Sequence, residues 1–199
     1  MTKNFVIIFV RNPKLGKVKT RLAASIGDQK ALEVYQILLH KTKTITQNLT
    51  CDKAVYYSNK TIKNDIWDNT IYQKHQQKGS NLGMRMQSAF KKAFDMGYKK
   101  VLIIGSDLYD LTQSHINKAF EKLNSNDVVM GPAKDGGYYL LAMKKLHANI
   151  FENKAWGTAT VKTETLNDLK DNRVYLLDEL NDIDVIEDLE NHAAFKSFL

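Results

Sequence analysis

Apolar residues run without a break from Val6 to Val10 and again from Val101 to Ile104. Such runs mark strands buried on both faces, the environment of an inner parallel strand. Between them, residues 28–49 place Ala31, Leu32, Val34, Tyr35, Leu38, Leu39 and Ile45 close to a 3.6-residue period. That spacing predicts a long amphipathic helix with Asp28 at its N-cap. Residues 53–58, carrying Ala54-Val55-Tyr56-Tyr57, read as a second strand and residues 70–74 as a weaker third. A helix is expected over 82–96, closed by Gly97. Beyond the strand at 100–106, the pattern predicts a helix over 112–123, a buried strand at 127–130 and a short antiparallel strand at 138–143. A helix at 164–169, a strand at 173–177 and a terminal helix over 185–198 complete the reading. The alternation predicts an α/β fold, a three-layer α/β/α sandwich around a mostly parallel sheet, with no repeat or boundary dividing the single domain expected over residues 1–199.

Composition narrows the class. The 199 residues are 43% hydrophobic and 26% charged, with 10 Gly and 2 Pro, which excludes a disordered or collagen-like polymer. No stretch reaches the roughly 18–20 consecutive apolar residues of a membrane helix, and residues 5–10 lack the length and cleavage site of a signal peptide. A soluble, cytoplasmic protein is expected. Cys51, the single cysteine, can build neither an internal disulfide nor a cysteine metal cluster. The histidines show no paired spacing suited to zinc. The net charge of +7 conceals an asymmetry: residues 1–100 carry 19 Lys+Arg against 6 Asp+Glu, and residues 101–199 carry 10 against 16. Opposed halves fit a nucleic-acid surface with an acidic tail, or a site where bases hold phosphates and carboxylates hold a divalent cation.

Five bases and no acid occupy residues 11–21, between the first strand and the first helix. The loop leaves the carboxyl end of a strand, where open α/β sheets bind ligands. A polyphosphate suits it: Gly16 lets the backbone approach an anion, and Lys17, Lys19 and Arg21 donate to phosphate oxygens. A solvated basic loop is the plain alternative. A Walker loop is excluded, because Arg11 stands where the first glycine is required and Val18 where Ser or Thr is. Gly105-Ser106-Asp107 puts one carboxylate at the same edge, suited to Mg²⁺, which takes one or two protein carboxylates plus substrate phosphates. The same aspartate also suits a turn or a helix cap. Asp135-Gly136-Gly137 follows the next strand and reads equally as a ligand-facing loop or a hairpin turn. Asp182, Asp184, Glu187 and Asp188 crowd one short stretch, as a solvated acidic face or, for the first two, as metal ligands. Tyr138, Tyr139 and Trp156 form either a stacking wall for a second substrate or part of the core.

Taken in order, six stretches carry a resemblance: Lys14-Leu15-Gly16-Lys17-Val18-Lys19-Thr20-Arg21-Leu22, Gln77-Lys78-Gly79-Ser80-Asn81-Leu82-Gly83-Met84-Arg85-Met86, Gly105-Ser106-Asp107, Gly131-Pro132-Ala133-Lys134-Asp135-Gly136-Gly137-Tyr138, Trp156-Gly157-Thr158 and Asp182-Ile183-Asp184. They resemble a bacterial family of small glycosyltransferase-like proteins of unassigned function, within the nucleotide-diphospho-sugar transferase superfamily of GT-A, Rossmann-like fold. The chain is more distantly similar to the 2-phospho-lactate and molybdenum-cofactor guanylyltransferases. The resemblance implies that Arg11, Gly16, Lys17, Lys19, Arg21, Arg85 and Ser106 surround the nucleotide. It further implies Mg²⁺ or Mn²⁺ on Asp107 with Asp182 or Asp184, and Asp135, Gly136, Gly137, Tyr138 and Trp156 facing the acceptor. Lys17, Asp107 and Asp135 are the implied catalytic residues. Two departures stand out: Tyr109 where the family usually has Pro, and Met84 where it often has Glu.

The implied partners are a nucleotide and a small-molecule acceptor, with no membrane and no nucleic acid, and with room for a homodimer. Two chemistries fit. In nucleotidyl transfer a nucleoside triphosphate gives its nucleotidyl group to a phosphorylated acceptor and releases pyrophosphate; in glycosyl transfer a nucleotide sugar is the donor. The five-base loop and the lack of an Asp-x-Asp at Asp107-Leu108-Tyr109 favour the first. A non-catalytic nucleotide- or RNA-binding module is the third reading.

Overall fold

The computed structural model describes residues 4–199. Its strands are β1 (Asn4–Val10), β2 (Asp52–Tyr57), β3 (Gln73–Gln76), β4 (Lys100–Ile104), β5 (Val128–Pro132), β6 (Tyr138–Met143) and β7 (Val174–Leu176). All join one sheet in the order β3-β2-β1-β4-β6-β5-β7. Only β6 is antiparallel, to β4 on one side and β5 on the other. β1 is apolar from Phe5 to Val10 because it feeds two layers at once. Val6, Ile8 and Val10 enter one core cluster, and Phe5 and Ile7 enter the other. The helices are α1 (Thr20–Ile26), α2 (Asp28–Thr46), α3 (Leu82–Asp95), α4 (Gln113–Lys122) and α5 (Val161–Asp168). α2 and α4 cover the first face through Tyr35, Leu39, Ile116 and Phe120. α3, a 3₁₀ turn at Ala148–Phe151 and α5 cover the second through Met86, Phe90, Phe151 and Leu166. The three-layer α/β/α sandwich expected from the sequence is therefore present. Among the described residues no helix is long and apolar enough to cross a membrane.

The departures from expectation are local. The terminal helix expected over 185–198 is instead two 3₁₀ turns, Ile186–Leu189 and Ala193–Phe198. Asp188 accepts from the backbone N–H groups of Asp184 and Val185, both at 2.8 Å, and so closes the first turn at its start. Phe195 and Leu189 are buried with Ile183 against α1 and α2, so side-chain anchoring rather than helix periodicity fixes this segment. β3 begins at Gln73 rather than at residue 70, because Asp68 ties down Thr70 at 2.8 Å in a turn and Tyr72 packs edge-on against Trp67. Asp28 is the first residue of α2 rather than its N-cap, a position held by Gly27 at φ 83°. α1 was not expected at all; only Leu22 of its seven residues is buried, too few to set a period. Tyr109, the first departure from the family pattern, packs edge-on against His192 and Phe195 at 5.1 and 5.0 Å and so joins the tail to the body of the fold.

Candidate functional site

β1, β4 and β5 point the same way, so their carboxyl ends and the start of β6 meet at one edge of the sheet. A cleft of about 790 Å³ opens there. Of the residues expected from the sequence, Arg11, Lys17, Arg85, Ser106, Asp107, Asp135, Gly137, Tyr138, Trp156 and Asp182 line it. Gly16, Lys19, Arg21, Gly136 and Asp184 do not.

Tyr35 of α2 ties the first two strand ends together. Its hydroxyl accepts from the Arg11 N–H at 2.8 Å, donates to the Arg11 carbonyl at 3.1 Å and shares a hydrogen bond of 3.2 Å with the Ser106 hydroxyl. Burial, followed by the Asp107 charge, pushes this phenol above its ordinary range, so it stays neutral and able to donate. Asn12 pins the same loop to the end of β2, accepting from the Asn59 N–H at 2.9 Å and donating to the Lys60 carbonyl at 2.8 Å. Gln77 donates to the carbonyls of Tyr56 and Val10 at 2.9 and 3.3 Å. Arg85, from the first turn of α3, donates to the Gly79 carbonyl at 3.1 Å and to Gln77 at 3.5 Å. The amides Asn12, Asn59 and Gln77, together with Ser58, were not expected at the site and line it, as does Lys14 of the five-base loop. No spacing signals them, since they come from three loops that only the sheet brings together.

Lys19, expected on the nucleotide phosphates, does not line the cleft. It is 8% exposed and its ammonium lies 2.9 Å from Asp184 Oδ1 and 3.3 Å from Asp107 Oδ2. Burial opposes the charge, but Asp107, Asp184 and Asp182 together outweigh it and hold Lys19 above the usual lysine range. Its backbone is left-handed, φ 47° and ψ 46°, a conformation that costs a residue with a Cβ about 1–2 kcal/mol. Arg21 is likewise turned away from the cleft, with Nη1 3.5 Å from Asp184 Oδ2. Gly16 serves a left-handed turn at φ 67°, where an added Cβ would lie 3.2 Å from the Asp28 carboxylate. Gly136, at φ 88°, is packed so closely on Ala159 that a Cβ would fall 2.3 Å from its carbonyl oxygen.

Residues 180–184 form an extended link from β5 to the loop after β4. Leu180 N–H donates to the Pro132 carbonyl at 3.1 Å, and Ile183 N–H to the Asp107 carbonyl at 3.0 Å. With Ile183 fully buried, Asp182 is carried into the cleft and Asp184 to Lys19. Burial first, then the neighbouring Asp184 and Asp135 carboxylates, push Asp182 up to about 6. A carboxyl raised this far holds its proton in the fold at a pH where the unfolded chain has released it. The folded state is therefore penalised progressively as pH rises from about 4 to 6, and fully above that. Asp182→Asn is expected to raise the melting temperature at pH 7.5 and leave it unchanged near pH 3.5, as a pair of calorimetric scans will show.

Trp156 lines the cleft against the first turn of α3, edge-on to Tyr138 with centroids 6.5 Å apart. Gly83 makes room for it, since a Cβ there would lie 2.6 Å from the indole ring. Met84, the second departure from the family pattern, is 48% exposed and does not line the cleft.

Residues 41–158 match a family described as "Uncharacterized protein conserved in bacteria (DUF2064)". A 2-phospho-L-lactate guanylyltransferase of Methanocaldococcus vulcanius is 26% identical over 192 residues, 92% of this chain and 82% of that protein. Among solved structures, a protein of Desulfovibrio desulfuricans G20 provisionally assigned as a nucleotide-diphospho-sugar transferase superposes with a TM-score of 0.87 at 30% identity, over 98% of this chain and 91% of the other. The inositol-1-phosphate CTP transferase of T. maritima shares the fold at TM-score 0.54 and 13% identity, over 98% and 94% of the two chains.

Proposed function

The chain belongs to that bacterial family, and on this footing we propose that it is a metal-dependent transferase that moves the nucleotidyl group of a nucleoside triphosphate to a small-molecule acceptor. One observation carries the reading. Arg11, Lys14, Lys17 and Arg85 enter the cleft from the β1–β2 side with no acid among them, opposite Asp107 and Asp182 at the ends of β4 and the 180–184 link. A triphosphate and its departing pyrophosphate need that density of positive charge. An acceptor oxygen attacks the α-phosphorus and forms the new P–O bond. The bond from that phosphorus to the bridging oxygen breaks, and pyrophosphate leaves with the electron pair. Lys17 and Arg11 offset the charge that develops on the phosphates, while Arg85, held by Gln77 and Gly79, keeps one fixed approach.

The side chains present fit a hard divalent ion. No three His, Cys, Asp or Glu among the described residues form a ready cage, but Mg²⁺ or Mn²⁺ in such sites takes one or two carboxylates and completes its shell with phosphate and water. Asp107 and Asp182 would hold it, both opening on the cleft, and Asp182 is a carboxylate short of a counter-charge. Asp184 is engaged by both Lys19 and Arg21 and does not line the cleft, whereas Asp107 lines it and meets Lys19 at 3.3 Å. When bound, the ion would neutralise phosphate charge and polarise the phosphorus for attack.

Glycosyl transfer is the second reading, supported by the provisional assignment of the Desulfovibrio relative. Against it, no second carboxylate follows Asp107 at this edge, since Leu108 is buried and Tyr109 is packed on Phe195. A thermal-shift panel of the four nucleoside triphosphates and common nucleotide sugars, with and without Mg²⁺ or Mn²⁺, separates the readings. A metal-dependent rise with one triphosphate is expected, and Lys17→Ala should weaken that triphosphate by about 10- to 100-fold. A rise confined to nucleotide sugars would move the assignment to glycosyl transfer.

A further inference from the structure

The cleft is electrically divided. All four of its bases belong to the loop after β1 or to α3, and Arg85 is anchored to that side through Gln77. The half built by the β5–β6 loop and residues 156–161 contributes Asp135, Gly137, Tyr138, Tyr139, Trp156 and Thr158, and no base. Of the lysines near this half in sequence, Lys134 is exposed and does not line the cleft, Lys154 pairs with Asp168 and Lys162 lies 3.4 Å from Glu179.

From this division we propose that the second substrate carries no phosphate of its own: it is a neutral or cationic molecule that presents a hydroxyl, seated between Asp135 and the rings of Tyr138 and Trp156. The inference rests on the nucleotide reading above and makes the acceptor half specific. It points the opposite way from the phosphorylated acceptor expected from the sequence. A phosphomonoester dianion placed here meets the Asp135 carboxylate and no basic side chain lining this half, whereas ring faces receive an apolar or cationic body. The transfer balances with a hydroxyl as nucleophile. Its oxygen bonds to the α-phosphorus, the bond to pyrophosphate breaks with the electron pair going to pyrophosphate, and the hydroxyl proton passes to solvent.

The chain has two tryptophans, and Trp67 is 2% exposed, so ionic quenchers report on Trp156. In the full-length protein loaded with a nucleoside triphosphate whose α,β-bridge is methylene, caesium should quench Trp156 more strongly than iodide, each normalised to free N-acetyltryptophanamide. Asp135→Lys should reverse the order. On the same loaded protein, glycerol and ethanolamine should each raise the melting midpoint at least as far as glycerol phosphate and phosphoethanolamine. Stronger quenching by iodide, or a larger rise with either phosphomonoester, overturns the inference while leaving the nucleotide reading intact. Failure of every triphosphate to bind in the separate thermal-shift panel removes that reading, and the acceptor assignment falls with it.

Discussion

Asp107→Asn is expected to lower the rate of pyrophosphate release by about a hundred- to a thousandfold. The change is nearly isosteric and removes one hard anionic ligand where the nucleotide phosphates and a divalent ion would meet. Folding should survive it for two reasons. The link to residue 183 runs through the Asp107 backbone carbonyl, accepting from Ile183 N–H at 3.0 Å, and Lys19 keeps Asp184 at 2.9 Å. The melting temperature should therefore move by only a few degrees while turnover collapses. The same variant discriminates against a non-catalytic RNA-binding role for the basic half. Removing a negative charge beside a basic loop strengthens electrostatic binding of a polyanion and flattens nothing in its salt dependence. Retention of more than about a tenth of the transfer rate would falsify the role given to Asp107.

What the sequence disclosed and what it withheld follow from the range of the forces involved. The strands β1 and β4 were legible because burial on both faces demands continuous apolar runs, a requirement each strand meets alone. The positions of Arg11, Lys17, Asp107 and Asp135 at one edge were legible for a related reason. Parallel strands deliver their carboxyl ends to the same side whatever their order. The partners of Lys19 were not legible. Its ion pair with Asp184 spans 165 positions and exists only because the 180–184 link pairs Leu180 with β5 and Ile183 with Asp107. Nothing in the local pattern of Asn181-Asp182-Ile183-Asp184 separates an extended link from a helix approach. The polar rim of Asn12, Asn59 and Gln77 was hidden similarly, since an amide in a loop has no period to betray it.

Lys19→Met should separate the two roles a buried lysine in this loop can play. The substitution keeps an unbranched stem of similar reach and removes only the charge. In the structure that charge stands between Asp107 and Asp184, with its side chain 4% exposed and the carboxylates 39% and 38% exposed. Stripping one partner from a fully buried pair costs about 3–5 kcal/mol. Solvent reaches both carboxylates here and Arg21 remains on Asp184, so a loss of about 1–2 kcal/mol is expected. For a chain of this size that corresponds to a fall of about 2–8 °C in melting temperature, measured without nucleotide. Turnover should fall as well, by about 10- to 100-fold, because Asp107 loses the group that fixes its position. A lysine that served phosphate alone would behave differently: its removal would leave the nucleotide-free protein as stable as before and weaken only the nucleotide. Stability lost in the absence of any ligand is therefore the signature that Lys19 organises the carboxylates, and an unchanged melting curve with weakened triphosphate binding would return it to the phosphate site.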